Sequence, residues 1–287
     1  MTRYCLAGAT ASGKTDVAQR LAEQLGASIL SADAMLVYRG MDIGTAKPTL
    51  AERGSVPYAG LDCVTPAERF TVAQWLDTQS QLPADAPVIA AGGTGLYFSA
   101  LLRGLDPAPP ANPALRAELE SLTLDALRQR LADCGAVIAD PDNPRRLIRA
   151  LEILAAGMEL PAGWGKREKP VLHALRWPRD ILHRRIALRV DRMYDSGLLN
   201  ETARLLEAFP TWSDTAQQAI GYAEAIDFLR GRCSLDIAKE RTVIRTRQLA
   251  RRQETYLRGQ FDIRWIDAHP GERLDTLVQK TADAWGL

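Results

Sequence analysis

Gly8-Ala-Thr-Ala-Ser-Gly-Lys14-Thr15 joins a short apolar run, Arg3 to Ala7, to a segment of helical periodicity, Lys14 to Leu25. That segment carries Val17, Ala18, Leu21, Ala22 and Leu25 on one stripe and is closed by Gly26. Gly8 and Gly13 let the backbone curl until successive N–H groups converge, and the helix N-terminus adds partial positive charge at the same point. Lys14 supplies a full cation, and the Thr15 hydroxyl suits a magnesium ion bridging phosphates. Gly8, Ala9, Thr10, Ala11, Ser12, Gly13, Lys14 and Thr15 are therefore expected to cradle a di- or triphosphate.

Further along, Ser28 to Ala32 and Val88 to Ala91 read as short apolar strands, Val171 to Trp177 can rejoin the sheet, and Asp262 to Ile266 is strand-like. Strands alternating with helical pattern predict an α/β fold: a P-loop NTPase-like parallel sheet flanked by helices. Asp106-Pro-Ala-Pro-Pro-Ala-Asn-Pro113 cannot be helix or central strand, and helical periodicity then runs from Ala114 to Ala156. Pro161-Ala-Gly-Trp-Gly and Lys166-Arg-Glu-Lys-Pro170 break it again. The expected organisation is a catalytic core over 1–105 and 170–287, with an all-α insertion domain over 106–169. The C-terminal region is mostly helical, with Gly197, Gly221 and Gly231 as stops.

Composition excludes several classes. The chain has 287 residues, and 46% of them are hydrophobic, enough for a sizeable core. Its 36 Lys and Arg balance 35 Asp and Glu, so only local charge points to a polyanion. Cys5, Cys63, Cys134 and Cys233 are scattered and three histidines offer no metal-site spacing, which suits a reducing compartment. No apolar run approaches the ~20 residues of a membrane-spanning helix. The N-terminus lacks the pattern of a secretion signal. A cytoplasmic monomer is expected.

The cradle leaves the reaction open, because polyphosphate serves as phosphoryl donor, energy source or leaving group. An NTPase normally places a metal-binding Asp at the end of a second apolar strand. Here Val88-Ile-Ala-Ala91 runs into Gly92-Gly-Thr-Gly95 instead. The acidic residue at a suitable strand end is Asp33, which reads as a magnesium ligand through water, a general base, or an Asx turn.

Four blocks in series carry a family likeness: Gly8 to Thr15, Ser31-Ala-Asp33, Val37-Tyr-Arg-Gly-Met-Asp-Ile-Gly-Thr-Ala-Lys-Pro48 and Gly92-Gly-Thr-Gly-Leu-Tyr97. The chain resembles the tRNA dimethylallyltransferases. The likeness continues through Asp142 to Glu152, Arg189-Val-Asp-Arg-Met193, Ala219-Ile-Gly-Tyr222 and Thr246 to Gln253. It implies transfer of a dimethylallyl group from dimethylallyl diphosphate to the exocyclic amine of the adenine 3′ of the anticodon. The phosphate loop then holds a leaving group, which accounts for the missing second-strand carboxylate. Lys14, Thr15 with magnesium, and backbone amides would neutralise the departing diphosphate. Asp33 would accept the amine proton, and Thr94 would act beside it. Thr10 and Ser12 would add hydroxyl donors.

The resemblance further implies that the tRNA anticodon stem-loop is held by Asp33, Ala34, Met35, Leu36 and Thr94. Also implied are Arg145, Arg146, Leu147, Ile148 and Arg149, together with Arg241, Arg245, Thr246, Arg247 and Gln248. Base extrusion needs a grip on the backbone beside the base, and both arginine clusters lie in helical pattern with few acids nearby in sequence. The chain departs from the family at Ala34 and Leu36, where Ser and a polar residue, often Gln, are usual, and at Tyr58-Ala59, where His-His is common. The alternatives are a small-molecule P-loop kinase using ATP, an adenine-nucleotide prenyltransferase and a nucleotide-gated RNA-binding module.

Overall fold

A computed structural model describes residues 2–110, 112–163 and 168–287. Trp164 and the Gly165–Arg167 part of the second predicted break lie outside them. The described chain divides into two compact units, Met1–Arg103 with Lys169–Leu287, and Gly104–Glu168.

The first unit is built on six strands: β1 (Arg3–Gly8), β2 (Ser28–Ala32), β3 (Tyr58–Ala59), β4 (Val88–Gly92), β5 (Val171–Arg176) and β6 (Asp262–Asp267). They form one sheet in the order β3-β2-β4-β1-β5-β6, with every pairing parallel. Being all parallel, it is covered on both faces. Leu6, Ile29, Ile89, Leu175 and Ile266 face one core, whereas Ala7, Leu30, Ala90 and Ala174 face the other, as the two-residue period of a strand requires. β3 was not foreseen; Tyr58-Ala59 is too short to show periodicity and exists because β2 offers an edge.

Helix α1 (Lys14–Leu25) follows the phosphate loop over the predicted span. Short helices α2 (Leu50–Arg53) and α3 (Val72–Asp77) precede α4 (Gly95–Arg103), which leaves the tip of β4. The second unit packs α5 (Pro113–Glu120), α6 (Leu124–Asp133) and α7 (Pro144–Ala155) around Leu119, Leu127, Leu131 and Leu147. Beyond β5 come α8 (Arg179–Asp195), α9 (Leu198–Ala208), α10 (Asp214–Gln217), α11 (Tyr222–Leu229), the 26-residue α12 (Leu235–Gln260) and α13 (Leu274–Trp285). Gly197 closes α8, its amide donating to the Tyr194 carbonyl, and is at the same time the N-cap of α9; Gly221 is the N-cap of α11, and Gly231 follows α11. Both caps have positive φ, which suits a helix start as readily as a stop. No described helix is long and apolar enough to cross a membrane.

Candidate active site

Parallel strands place all their C-terminal ends on one edge, where open α/β sheets bind ligands. That edge brings together Gly8 from β1, Asp33 after β2, Gly92-Gly93-Thr94 after β4 and Trp177 after β5. The register is tight. A Cβ at Gly92 would lie 2.0 Å from the Ala32 carbonyl oxygen, so only glycine allows β4 to end beside β2.

The phosphate loop is left-handed at Ala11 (φ 63°) and Gly13 (φ 87°). For Ala11 this conformation is unfavourable by about 1–2 kcal/mol and has to be held from outside. Two side chains do so. Arg185 Nε donates to the Ala11 carbonyl at 2.7 Å, and Trp177 Nε1 donates to the Ser12 carbonyl at 2.8 Å. The Arg185 guanidinium also stacks over the Trp177 ring at 4.5 Å. Gly13, Lys14 and Thr15 begin α1 with amides that have no acceptor among the described residues, the usual state of a helix N-terminus awaiting an anion. The Thr10 amide is not part of that set: it donates to Gln253 Oε1 at 2.8 Å.

Lys14 is buried, and its Nζ donates to the Ala9 carbonyl at 3.3 Å. Burial pulls its ammonium down to about 8, opposed by the Asp33 carboxylate and reinforced by the Arg189 guanidinium. Arg189, on α8, donates to the Thr45 carbonyl at 2.9 Å. Burial lowers its pKa too, with Asp33 and Asp16 opposing.

Asp33 Oδ1 accepts from the Met35 amide at 2.9 Å, the Asx turn foreseen as its structural role. One carboxylate oxygen is thus engaged in the turn, and Oδ2 has no hydrogen bond to the described residues. Thr94 ties the two strand tips together: its amide donates to the Ala32 carbonyl at 3.0 Å, and its Oγ1 accepts from the Ala34 amide at 3.0 Å. Thr10, Lys14, Thr15, Asp33, Thr45 and Arg189 line one open cleft, whose remaining wall includes Ala18, Ile29, Leu36, Pro48 and Tyr58. Ile29 and Ser31 of β2 and Asp33 just beyond its end alternate onto this wall. The Ser31 and Ser12 hydroxyls are buried without a partner. Such groups are destabilising unless a ligand satisfies them.

Several expected RNA contacts have other occupations. Leu147 and Ile148 are buried in the second unit's core, so they cannot meet RNA with their side chains. Thr246 is buried and bonds back to the Thr242 carbonyl, and Leu36 is buried at the cavity wall. Arg149 is engaged by Glu152 at 3.2 Å and by the Pro109 carbonyl at 2.7 Å; Arg146 lies 3.4 Å from Asp140. Arg245 bonds Glu224 and the Gln218 carbonyl, and Arg241 lies 3.8 Å from Asp227. For the α12 arginines the apparent scarcity of acids was local, since Glu224 and Asp227 come from α11, whereas Glu152 lies three residues beyond Arg149 on α7 itself. Arg145, Gln248, Arg251 and Arg252 are exposed and make no side-chain bond to the described residues. Arg247 has its Nε buried and unpartnered. Tyr38, Tyr97 and Tyr222 are core residues. Asp42 to Lys47 forms a structural loop in which buried Lys47 bonds Asp42 and Asp62.

Sequence reasoning gave no role to Arg185, Arg189, Trp177 or Gln253. Arg189 and Gln253 stand inside blocks of the family likeness, which was their available signal; Trp177 and Arg185 had none.

Comparisons with known proteins follow the same lines. A family model described as IPP transferase matches residues 36–260, and one described as isopentenyl transferase matches residues 1–57. The chain is 43% identical over 284 residues to a tRNA dimethylallyltransferase of Anaeromyxobacter dehalogenans, covering 93% of each. It is 39% identical over 299 residues to the Stenotrophomonas maltophilia protein of the same name, again covering 93% of each. Among solved structures, the tRNA isopentenylpyrophosphate transferase of Bacillus halodurans superposes with a TM-score of 0.70 at 32% identity, covering 99% of this chain and 96% of that one. A eukaryotic dimethylallyltransferase acting on tRNA shares the fold, with a TM-score of 0.77 at 24% identity, covering 99% of this chain and 78% of that one.

Proposed function

The chain belongs to the IPP transferase family of prenyl-transferring enzymes, and from that membership we propose that it moves a dimethylallyl group from dimethylallyl diphosphate to N6 of the tRNA adenine 3′-adjacent to the anticodon, position 37, releasing diphosphate. One observation carries the reading. A single cavity joins an anion cradle to one strand-end carboxylate, Asp33, while the second strand tip that would bear an NTPase acid ends in glycines and Thr94.

The diphosphate sits at the free amides of Gly13, Lys14 and Thr15, with the Lys14 ammonium and Arg189 guanidinium neutralising charge as the allylic C–O bond breaks. Ala18, Ile29, Leu36 and Tyr58 supply apolar wall for the isoprenoid. Adenine N6 attacks the allylic carbon, and its proton passes to Asp33 Oδ2. An aryl amine is a weak nucleophile, so alignment contributes as much as proton removal. The Ala34–Thr94 bond keeps the two strand tips at fixed separation, which positions Asp33.

Among the described residues no group of three or more His, Cys, Asp and Glu holds a metal alone. The Thr15 hydroxyl and the orphaned Ser31 hydroxyl are hard oxygen donors that fit a magnesium ion held chiefly by phosphate oxygens and water. Such an ion would supply further neutralisation of the leaving group.

Incubation with unmodified tRNA, dimethylallyl diphosphate and magnesium is expected to add a dimethylallyl mass to one adenosine in nucleoside analysis. Asp33→Asn should keep diphosphate binding and lose about two or more orders of magnitude in turnover. Robust γ-phosphate transfer from ATP without prenylation would establish a kinase instead.

A further inference from the structure

The long helix α12 reaches the phosphate loop through one side chain. Gln253 Oε1 accepts the Thr10 N–H at 2.8 Å, and because an amide N–H only donates, this bond also fixes which way the Gln253 amide points. Its Nε2 end lies over Gly93, where an added Cβ would come within 2.2 Å of that nitrogen. The next turn repeats the arrangement. The Tyr256 ring lies over Gly95, 2.2 Å from where a Cβ would stand, and its hydroxyl is 3.2 Å from Ser99 Oγ. Two of the glycines in Gly92-Gly93-Thr94-Gly95 are therefore pits that admit side chains of α12 on either side of Thr94. On α12 itself, Gln253 directly follows exposed Arg251 and Arg252.

We propose that Gln253 is a positioning residue for the transfer reaction: wedged where the tips of β1 and β4 meet, its amide holds the phosphate loop in its anion-ready shape and fastens that shape to the basic helix. The inference rests on the reading of the cradle as a diphosphate site. Physically, the bond withdraws the Thr10 amide from competition for ligand and locks the loop's entry. The diphosphate then meets a nest already organised rather than one ordered at the moment of binding.

The test compares Q253M, which keeps side-chain length without polar atoms, with Q253E, which keeps the acceptor. In the ligand-free protein, hydrogen exchange at the Thr10 amide is expected to quicken about tenfold in Q253M and to stay near wild type in Q253E. Titration with inorganic pyrophosphate and magnesium should weaken about five- to tenfold in Q253M. KM for dimethylallyl diphosphate should rise alike, with kcat less affected and tRNA affinity unchanged. In Q253E the added charge should weaken pyrophosphate binding although the amide stays protected. G93A, which evicts the Gln253 amide, should reproduce Q253M, and the double variant should be no worse than either. Unchanged Thr10 exchange in Q253M, or unchanged pyrophosphate affinity and KM, would overturn the proposal. A wild-type protein that ignores pyrophosphate would overturn the diphosphate reading and this proposal with it, whereas normal wild-type binding beside an indifferent Q253M overturns the latch alone.

Discussion

Lys14 shows how the site trades stability for binding. In the proposed reaction its ammonium opposes the diphosphate's charge, yet burial holds it at about 8 instead of the ordinary 10.5. Between those values the unfolded chain binds more protons than the folded one, so this group makes stability rise with pH from about 8 to 10.5. Its penalty is fully present below 8. Lys14→Met should therefore raise the unfolding free energy of the ligand-free protein at pH 7 by on the order of 2–3 kcal/mol, read from denaturant titration, while abolishing pyrophosphate binding. In wild type, kcat/KM for the diphosphate donor should fall above pH 8, while kcat persists to higher pH because the bound anion favours the ammonium. A K14M protein less stable than wild type at neutral pH would show that the buried charge is fully compensated.

At the scale of elements, α7 and α12 illustrate why an arginine count misleads. The side chains of Arg149 and Arg245 make ion pairs inside their own units, whereas Arg145, Arg251 and Arg252 are exposed and unpaired among the described residues. Alanine at any of these last three should weaken tRNA binding and reduce the slope of log affinity against log salt by about 1 each, read by filter binding at several ionic strengths. Arg245→Ala should instead leave Glu224 buried without its cation and lower stability with little change in that slope. Equal salt slopes for R245A and R251A would refute this division.

For the molecule as a whole, the two units have separate cores. Leu147 is fully buried among Leu119, Leu127 and Leu131, so Leu147→Ala should destabilise the Gly104–Glu168 unit by about 2–5 kcal/mol. Hydrogen exchange should then accelerate in peptides of α5, α6 and α7 while those of β1, β4 and β5 keep their protection. Loss of protection throughout the sheet would mean the units unfold as one. The rest of the core was largely legible: strand runs such as Ser28 to Ala32 and the α1 stripe announce themselves by period, since each is buried on faces that local sequence defines. Tyr58-Ala59 was illegible because its strand character comes wholly from the β2 edge. Leu147 and Ile148, which the resemblance places with the RNA contacts, have their side chains in the core because a helix turns neighbours in sequence onto different faces.

By itself the amino-acid sequence determined the glycine-rich loop between β1 and α1, the parallel α/β class and Asp33 as the strand-end acid, because a turn of consecutive amides and a two- or 3.6-residue period are properties of adjacent residues. Only the folded chain settled that Arg185 and Trp177 brace the loop, that Arg189 enters the cavity, that Gln253 takes the Thr10 amide, and that Arg245 is already paired with Glu224. Thr10 and Gln253 are 243 positions apart. A hydrogen bond or ion pair between such residues depends on where the sheet and its helices bring them, and that placement is the sum of many packing contacts rather than a pattern carried by any one segment.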